Sequence, residues 1–334
     1  MPVTSIGDMA RHFNAMRNGS SIKAELGELT QQMSTGRVND ITAHLGGNTA
    51  RYTGLDHRLS QLDSSIRVAS ETAQTLGAMQ SVLQRVDSLR GETSQQLLHV
   101  TSASQPNQID EAATAARDSF ETMVSALNTQ VAGRALFGGV EVDGAPLAAA
   151  EDMLADLQTF IGAATTPAAI IAAVDFWFDD PAGGFATMGY QGDTGPAMRK
   201  RLTENEAVDI NARADDPAIR ETLKAAAIAA MTHDIPGLTR ATQSTLLQEA
   251  GTRMFGASDG VVAVQSRLGF VEEAVERASV EMTAQQTSLK ISRNDLIVAD
   301  PFDTASRLQS IQLQLETHYT VTARMSRLTL LEYI

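Results

Sequence analysis

The chain lacks cysteine entirely and contains few aromatic residues over its 334 positions. Without cysteine there can be no disulfide, no thiolate metal site, no iron–sulfur cluster and no cysteine nucleophile. Aromatic residues make up 4% of the chain and hydrophobic residues 43%, so the predicted core consists mainly of Ala, Leu, Val, Ile and Met. That composition suits long helices better than β-sandwiches.

Positive charge is also scarce: the chain has 26 basic and 40 acidic residues, which gives a net charge of −14. This balance argues against a nucleic-acid coat or a polybasic membrane anchor, since both need local positive charge. No stretch approaches 18 consecutive apolar residues, so we predict no membrane-spanning helix. The first 21 residues lack the apolar stretch of a secretory signal, and we expect any export to proceed without signal cleavage.

Proline is absent from two long parts of the chain, between Ser21 and Gln105 and between Gly237 and Asp300. Because proline costs about 3 kcal/mol inside a helix, these parts permit very long helices. Seven of the nine prolines and most of the aromatic residues lie between them. We therefore predict a helical arm, a compact insert and a second helical arm.

Apolar residues in both arms follow the alternating three- and four-residue spacing of a heptad seam. The N-terminal seam comprises Leu55, Leu59, Leu62, Ile66, Ala69, Ala73, Leu76, Met79, Leu83, Val86, Thr93, Leu97 and Val100. Two successive three-residue steps at Ala73, Leu76 and Met79 predict a stammer, which overwinds a supercoil. The C-terminal seam comprises Val264, Leu268, Val271, Val275, Ala278, Met282 and Leu289. A helix over residues 55–100 would be roughly 70 Å long, so it needs the other arm as a partner. Two ordinary amphipathic helices on a globular core are the alternative.

The predicted fold class is mainly α, with long antiparallel coiled-coil-like arms from both termini and a small mixed α/β insert. We predict an N-terminal assembly segment (1–50), an N-terminal helical arm (51–135), the insert (136–236), a C-terminal helical arm (237–300) and a C-terminal assembly helix (301–334). Within the insert, the patterns predict helices at 149–163, 167–178 and 217–231, and strands at 136–142, 185–191 and 207–211.

Motifs for catalysis or cofactor binding do not occur in the sequence. The six histidines are scattered, and there is no phosphate loop, dinucleotide fingerprint, nucleophile elbow or calcium loop. We therefore predict no catalytic, cofactor-binding or metal-binding residues, no cofactor and no enzyme activity. The single basic cluster, Arg199-Lys200-Arg201, is flanked by acidic residues, and we interpret it as a solvated strand edge.

Three segments resemble bacterial flagellins and the related flagellar hook–filament junction proteins. Residues 29–38 read LTQQMSTGRV, which is similar to the family's L-S-[ST]-G-x-[RK]-[IV] segment. Residues 133–139 read GRALFGG, which is similar to the family's GRYLFGG segment, where the chain passes from a helix into the outer domain. Residues 321–334 read VTARMSRLTLLEYI, and with the Ala-Asp pair at 299–300 they resemble the C-terminal pattern. The loop after Val38 departs from the family, so no specific contact is carried over there.

The resemblance implies a structural protein of the bacterial flagellum that joins hook to filament and self-assembles through its terminal helices into a junction ring. It also implies an extracellular location, export through the flagellar type III channel, an export chaperone, and neighbouring axial proteins on the hook and filament sides. The closing letters EYI and an insert of about 100 residues favour the junction protein. A small flagellin that forms the filament is the first alternative. A soluble helical enzyme and a cytosolic coiled-coil scaffold are alternatives of other classes.

The tail carries apolar residues on too many faces for a free terminus, and termini fray unless they are tied down. We therefore predict that apolar residues near both ends contact other subunits. The predicted subunit-interaction residues are Leu26, Leu29, Met33, Leu308, Ile311, Leu315, Val321, Met325, Leu328, Leu330, Leu331 and Ile334.

Overall fold

The structure is a computed structural model that describes the backbone of residues 6–331, and the side chains of that range except residues 6–8, 11 and 325–331. The helices are α1 (Ile6–Thr35), α2 (Ile41–His44), α3 (Ala50–Leu98), α4 (Pro106–Leu127), α5 (Ala150–Ile161), α6 (Pro167–Asp179), α7 (Pro217–Asp234), α8 (Arg240–Gly256), α9 (Ser258–Ile297) and α10 (Pro301–Leu331). The strands are β1 (Gln130–Val131), β2 (Arg134–Ala135), β3 (Met198–Arg201) and β4 (Ala207–Ile210). The antiparallel pairs β1–β2 and β3–β4 form two small sheets. The predicted fold class is confirmed: long helices dominate, with small β-elements in the insert and directly before it.

The chain divides into two compact units. The terminal unit holds Met1–Asp63 and Thr283–Ile334, and the central unit holds Ser64–Met282. The five functional segments proposed from the sequence, with boundaries at residues 50, 135, 236 and 300, stay a prediction. Within the described residues, no helix is long and apolar enough to cross a membrane.

The predicted heptad seam of α3 is buried in the central unit, with one correction near its start. Leu76, Met79 and Leu83 are almost fully buried, but Ala73 is exposed and Thr72 occupies the seam at 3% exposure. Burial of Thr72 is tolerated because its hydroxyl donates to the Val68 carbonyl at 2.7 Å. The two successive three-residue steps therefore lie one heptad earlier than predicted.

The C-terminal arm contains a break that the sequence analysis did not predict. Helix α8 ends at Gly256 and α9 begins at Ser258, so the arm is two helices and not one. Arg90, on a seam position of α3, donates to the Met254 carbonyl at 2.8 Å and to the Ser258 hydroxyl at 3.0 Å. The last carbonyls of a helix have no partners within it, so this guanidinium satisfies one of them and joins the two helices.

The insert confirms the predicted helices, which are α5, α6 and α7, and the predicted strand at 207–211, which is β4. The predicted strand at 185–191 is wrong, because Phe185–Gly189 forms a π-helical turn. Phe185 and Tyr190 are both buried and their rings stack with centroids 6.4 Å apart. Side chains five residues apart lie on opposite faces of a strand, so a strand could not bury both against one core.

The predicted strand at 136–142 is also wrong. Leu136 and Phe137 are consecutive and both buried, which the alternation of a strand does not allow. The chain then turns at Gly139, whose φ of +72° favours glycine. Pairing occurs just before this segment instead, where β1 and β2 form a tight hairpin.

An aromatic cluster forms the core of the insert. Trp177 is fully buried, and its ring lies edge-on to Phe178 and Phe185 at centroid distances of 4.7 and 6.2 Å. The indole nitrogen donates to Asp156 Oδ2 at 2.7 Å, so burial leaves no unpaired donor. Gly184 allows the backbone of the turn to lie directly against the indole.

A buried lysine joins α6 to α7. The Lys224 side chain is 6% exposed and its ammonium contacts Glu221 at 2.6 Å, Asp179 at 2.7 Å and Asp175 at 3.6 Å. Burial lowers the pKa of Lys224, but the hydrogen bonds to Asp179 and Glu221 outweigh it and raise this pKa above its ordinary value. The ammonium therefore stabilises the fold while it is charged.

We expect Lys224→Met to lower the free energy of unfolding by about 1–3 kcal/mol, because it leaves three carboxylates without their shared cation. The loss is smaller than for a fully buried pair because the carboxylates reach water. The raised pKa makes this stabilisation complete below pH 10.5, the ordinary lysine value, and lost as the pH rises through the folded-state pKa. Urea unfolding at pH 7 and pH 11 checks both statements. Lys290→Met, at an exposed position of α9, is the control and should change stability little at either pH.

Candidate assembly interface

The terminal unit is built on an antiparallel pair of helices, α1 and α10. At one end of the pair, Arg37 forms a backbone bridge with Val298. Near the middle of the pair, the His318 Nε2 atom hydrogen-bonds the Ala15 carbonyl at 2.8 Å across 303 positions of sequence. The first and last described helices of the chain therefore lie side by side.

Both helices contribute a heptad seam to this pair. On α1, Gly19 and Leu29 are buried, and Ile22 and Leu26 are half-buried. On α10 the corresponding side chains are Thr304, Leu308, Ile311, Leu315 and His318, of which Thr304 and Ile311 are buried. The structure thus brings together five of the predicted subunit-interaction residues, namely Leu26, Leu29, Leu308, Ile311 and Leu315. They line the seam between two helices of one chain, and their contact with a neighbouring subunit stays a prediction.

The other predicted subunit-interaction residues lie elsewhere. Met33 and Val321 are outside the seam and about half exposed, at 49% and 50%. Met325, Leu328, Leu330 and Leu331 belong to α10, but their side chains are outside the described residues, and Ile334 lies wholly outside them.

An exposed apolar row on α1 was missed by the sequence analysis. Met9, Phe13 and Met16 follow helical spacing of four and three residues, and their side chains are 69%, 63% and 57% exposed. On α10, Leu313 and Val321 are likewise exposed and lie eight residues, or about two turns, apart. The signal was present in the sequence, because an apolar row at helical spacing in an otherwise polar segment indicates one apolar face. Such faces mark sites of protein contact.

The sequence motifs that resemble the flagellin family meet at one end of the helix pair. The backbone N–H of Val38 donates to the Ile297 carbonyl at 3.0 Å, and that of Ala299 donates to the Gly36 carbonyl at 3.0 Å. Gly36 has a φ of +67°, the left-handed conformation that ends α1. The Arg37 guanidinium donates to Asn294 Oδ1 at 3.2 Å. Residues 29–38 and 297–300 therefore serve to join the two helices.

A histidine packs into a glycine notch near the middle of the helix pair. A Cβ atom on Gly19 would lie 2.9 Å from His318 Cε1, so only glycine leaves room for the ring. The neighbouring Tyr319 ring lies 5.6 Å below the Lys23 ammonium, a cation–π contact between the same two helices.

We expect Gly19→Leu to loosen the helix pair around this notch, because the larger side chain displaces the His318 ring and its hydrogen bond. Hydrogen exchange should show faster amide exchange in both helices near residues 15–20 and 315–320. Gly27→Leu on the same helix is the control, since nothing lies within 4 Å of its Cβ position, and it should not speed exchange. Adding His318→Ala to Gly19→Leu should restore protection, and equal exchange in all variants would contradict the notch.

Within the residues that the structure describes, no group of three His, Asp or Glu side chains is placed to hold a metal ion. The described part of the terminal unit offers packing surfaces.

The comparison with protein families identifies the helices just described. The pattern of the bacterial flagellin N-terminal helical region matches residues 6–141, and that of the bacterial flagellin C-terminal helical region matches residues 241–334. Together the two matches cover more than half of the chain. The chain belongs to the bacterial flagellin family. As a member of this family it is a structural component of the bacterial flagellum.

Two solved structures resemble this flagellin-family chain at low identity. FlgL of Bacillus cereus is 14% identical, with a TM-score of 0.43 over 72% of this chain and 99% of the other. A flagellar hook-associated protein from Vibrio parahaemolyticus is 13% identical, with a TM-score of 0.40 over 75% of this chain and 98% of the other. No curated protein sequence matches the chain.

Proposed function

We propose that this chain is the hook–filament junction protein of the bacterial flagellum. It assembles through α1 and α10 into a ring, with the hook on one side and the filament on the other. The observation that carries the proposal is the terminal helix pair, which fills one heptad seam internally and leaves apolar rows uncovered. A pair with such faces is suited to add further helices from neighbouring subunits.

The energetics favour assembly once neighbours are present. Full burial of a Met, Phe or Leu side chain contributes about 1.5–3 kcal/mol, so the row of Met9, Phe13 and Met16 alone supplies several kcal/mol per contact. Ordering of flexible segments on binding costs about 2–5 kcal/mol or more, and the loss of translational and rotational freedom costs about 4–15 kcal/mol, so one row does not offset both costs. Assembly therefore depends on contacts with more than one neighbour. We propose a mechanical role without catalysis.

The first alternative is a small flagellin that forms the filament itself. The letters EYI at positions 332–334 and the size of the insert support the junction protein over this alternative. The two functions differ in where the protein lies, because a junction ring occupies one short zone and a flagellin occupies the whole filament.

Immunogold labelling of intact flagella and of filament-free hook–basal bodies tests the proposal. We expect label in one band at the distal end of the hook, retained after the filament is removed. Label along the entire filament would favour the flagellin. Absence of label from flagella, with the protein in the cytosol, would contradict both and favour a coiled-coil scaffold or an enzyme.

We also propose that the protein leaves the cell through the flagellar type III channel without signal cleavage, and that an export chaperone covers its apolar terminal helices before assembly. The exposed row on α1 is a suitable surface for such a chaperone. Mass spectrometry of protein from sheared flagella checks the first statement, because an N-terminus shortened by a leader-sized segment would contradict it.

A further inference from the structure

The central unit has an acidic groove that the proposed assembly of the terminal helices does not use. An open groove of about 700 Å³ runs between α5 and the segment around residues 187–191. The residues that line it include Ala155, Met188 and Tyr190 together with the acidic residues Asp152 and Asp156. None of the residues that line it is basic. The groove is therefore suited to a segment with cationic side chains and some apolar surface.

An exposed aromatic pair borders the groove. Phe160 on α5 and Phe176 on α6 stack with ring centroids 5.3 Å apart and an interplanar angle of 13°, and both are exposed, at 47% and 44%. Asp152, Asp156 and Phe160 recur every four residues, so they form one stripe along α5. Arginine stacks on aromatic faces and pairs with carboxylates, which makes this stripe an arginine-binding surface.

The same unit carries a matching cationic surface on strand β3. In strand β3, Arg199 and Arg201 are exposed, and side chains two residues apart on a strand lie on the same face. Arg199 has only a loose contact with Asp209 on β4, at 4.0 Å, and its side chain is 75% exposed. Both guanidiniums are therefore available to another molecule.

The spacings of the two surfaces agree. Two residues of strand separate Arg199 from Arg201 by about 6.6 Å. One turn of helix separates Asp152 from Asp156 by about 6 Å. A strand laid along α5 could therefore present one arginine to each carboxylate.

We propose that the β3–β4 hairpin of one copy binds the α5 groove of the next copy. The groove and the hairpin are built from different residues of the chain, so the contact is head-to-tail and repeats around a ring or helix of subunits. Each copy carries a net charge of −14, which makes copies repel one another. A contact between the basic strand and the acidic groove reduces that repulsion where the copies meet, which favours a second copy as occupant.

This inference rests on the proposed function, because assembly through the terminal helices holds neighbouring copies to one another. In a ring held by those helices, the second contact forms at high effective concentration. A weak contact between inserts is then sufficient, and none need form between free monomers in dilute solution.

The absence of native cysteine allows a direct test by disulfide trapping in assembled flagella. Thr159 lines the groove and lies about one helical turn after Asp156. Thr159→Cys is combined in one chain with a second cysteine, either Thr203→Cys or Ala197→Cys. These two positions lie two residues beyond Arg201 and Arg199, so the pair of variants covers both directions of the strand. We expect oxidation to give a ladder of covalent oligomers for one of the two combinations. Thr159→Cys with Ser125→Cys, an exposed position on α4, is the control and should give none.

Charge reversal distinguishes a specific contact from chance proximity. Arg199→Glu with Arg201→Glu should abolish the ladder, and adding Asp152→Arg should restore part of it. Asp156 is left unchanged because it accepts the Trp177 hydrogen bond.

The outcomes separate this inference from the proposed function. Label at the hook end without a ladder from either cysteine pair would overturn the groove contact and leave the junction function intact. Absence of the wild-type chain from flagella would overturn the junction function. In that case the disulfide trapping is repeated on the purified full chain at high concentration. A ladder of oligomers there supports the contact between hairpin and groove, and the absence of a ladder contradicts it.

Discussion

Gly184→Ala is expected to destabilise the central unit by about 3 kcal/mol or more. A Cβ atom at this position would overlap the Trp177 indole and lie 2.6 Å from Asp156 Oδ2. Trp177 is fully buried and packed between Phe178 and Phe185, so it has no space into which to move. The backbone of Gly184 is in the ordinary helical region, with φ −61° and ψ −32°, so the effect is steric and not conformational.

The single tryptophan makes the measurement specific, because its fluorescence reports the environment of the insert core. Urea unfolding followed by this fluorescence should show a lower midpoint for Gly184→Ala. Gly77→Ala is the matched control, since Gly77 lies within α3 and nothing lies within 4 Å of its Cβ position. It should raise stability by up to about 1 kcal/mol through helix propensity. A midpoint for Gly184→Ala equal to that of the wild type would contradict the close packing.

The seams could be predicted because apolar spacing reports helix faces directly. Leu76, Met79 and Leu83 are buried as their spacing indicates, and the same holds for Leu29 and Ile311. The choice between Ala73 and Thr72 could not be predicted from hydrophobicity. Thr72 can be buried because its hydroxyl donates a hydrogen bond to the Val68 carbonyl within the same helix.

The β-structure of the insert was predicted less well, for a related reason. The alternation at 207–211 reflects a real strand, since Val208 and Ile210 are buried while Asp209 is exposed. The segment from Phe185 to Tyr190 has a similar content of apolar residues, but its aromatic side chains are five apart: Phe185 packs on Trp177, and Tyr190 stacks on Phe185. Tertiary packing determines the backbone there, and no local pattern contains that information.

At the candidate interface, the sequence motifs could be found locally, but the exposed residues depend on how α1 and α10 pack. Family resemblance pointed to both ends of the chain, and the structure shows that two of the matching motifs bind each other through Val38 and Ala299. Which apolar residues remain uncovered depends on which are used in the seam between α1 and α10. Met9, Phe13 and Met16 stay exposed because the seam passes along the face that holds Gly19, Leu26 and Leu29.

Replacing Phe13 and Met16 with glutamate should leave the monomer folded and abolish its incorporation into flagella. Both side chains are more than half exposed, so their removal costs the isolated chain little. Full burial of two such side chains contributes about 3–6 kcal/mol to a subunit contact, which corresponds to a loss of more than about a hundredfold in affinity. Placing two carboxylates in that apolar contact weakens it further.

The measurements are circular dichroism of the purified monomer and the amount of the protein in sheared flagella and hook preparations. Phe13→Leu with Met16→Leu keeps the apolar row and should incorporate normally. Asn14→Glu adds a charge to an exposed position of the same helix outside the row, and it should also incorporate. Because these controls separate loss of apolar surface from added charge, normal incorporation of the double glutamate variant would show that the row on α1 does not contact a neighbour. The exposed row on α1 would then have no part in assembly, and the contacts between subunits would have to be made by the seam residues and by α10.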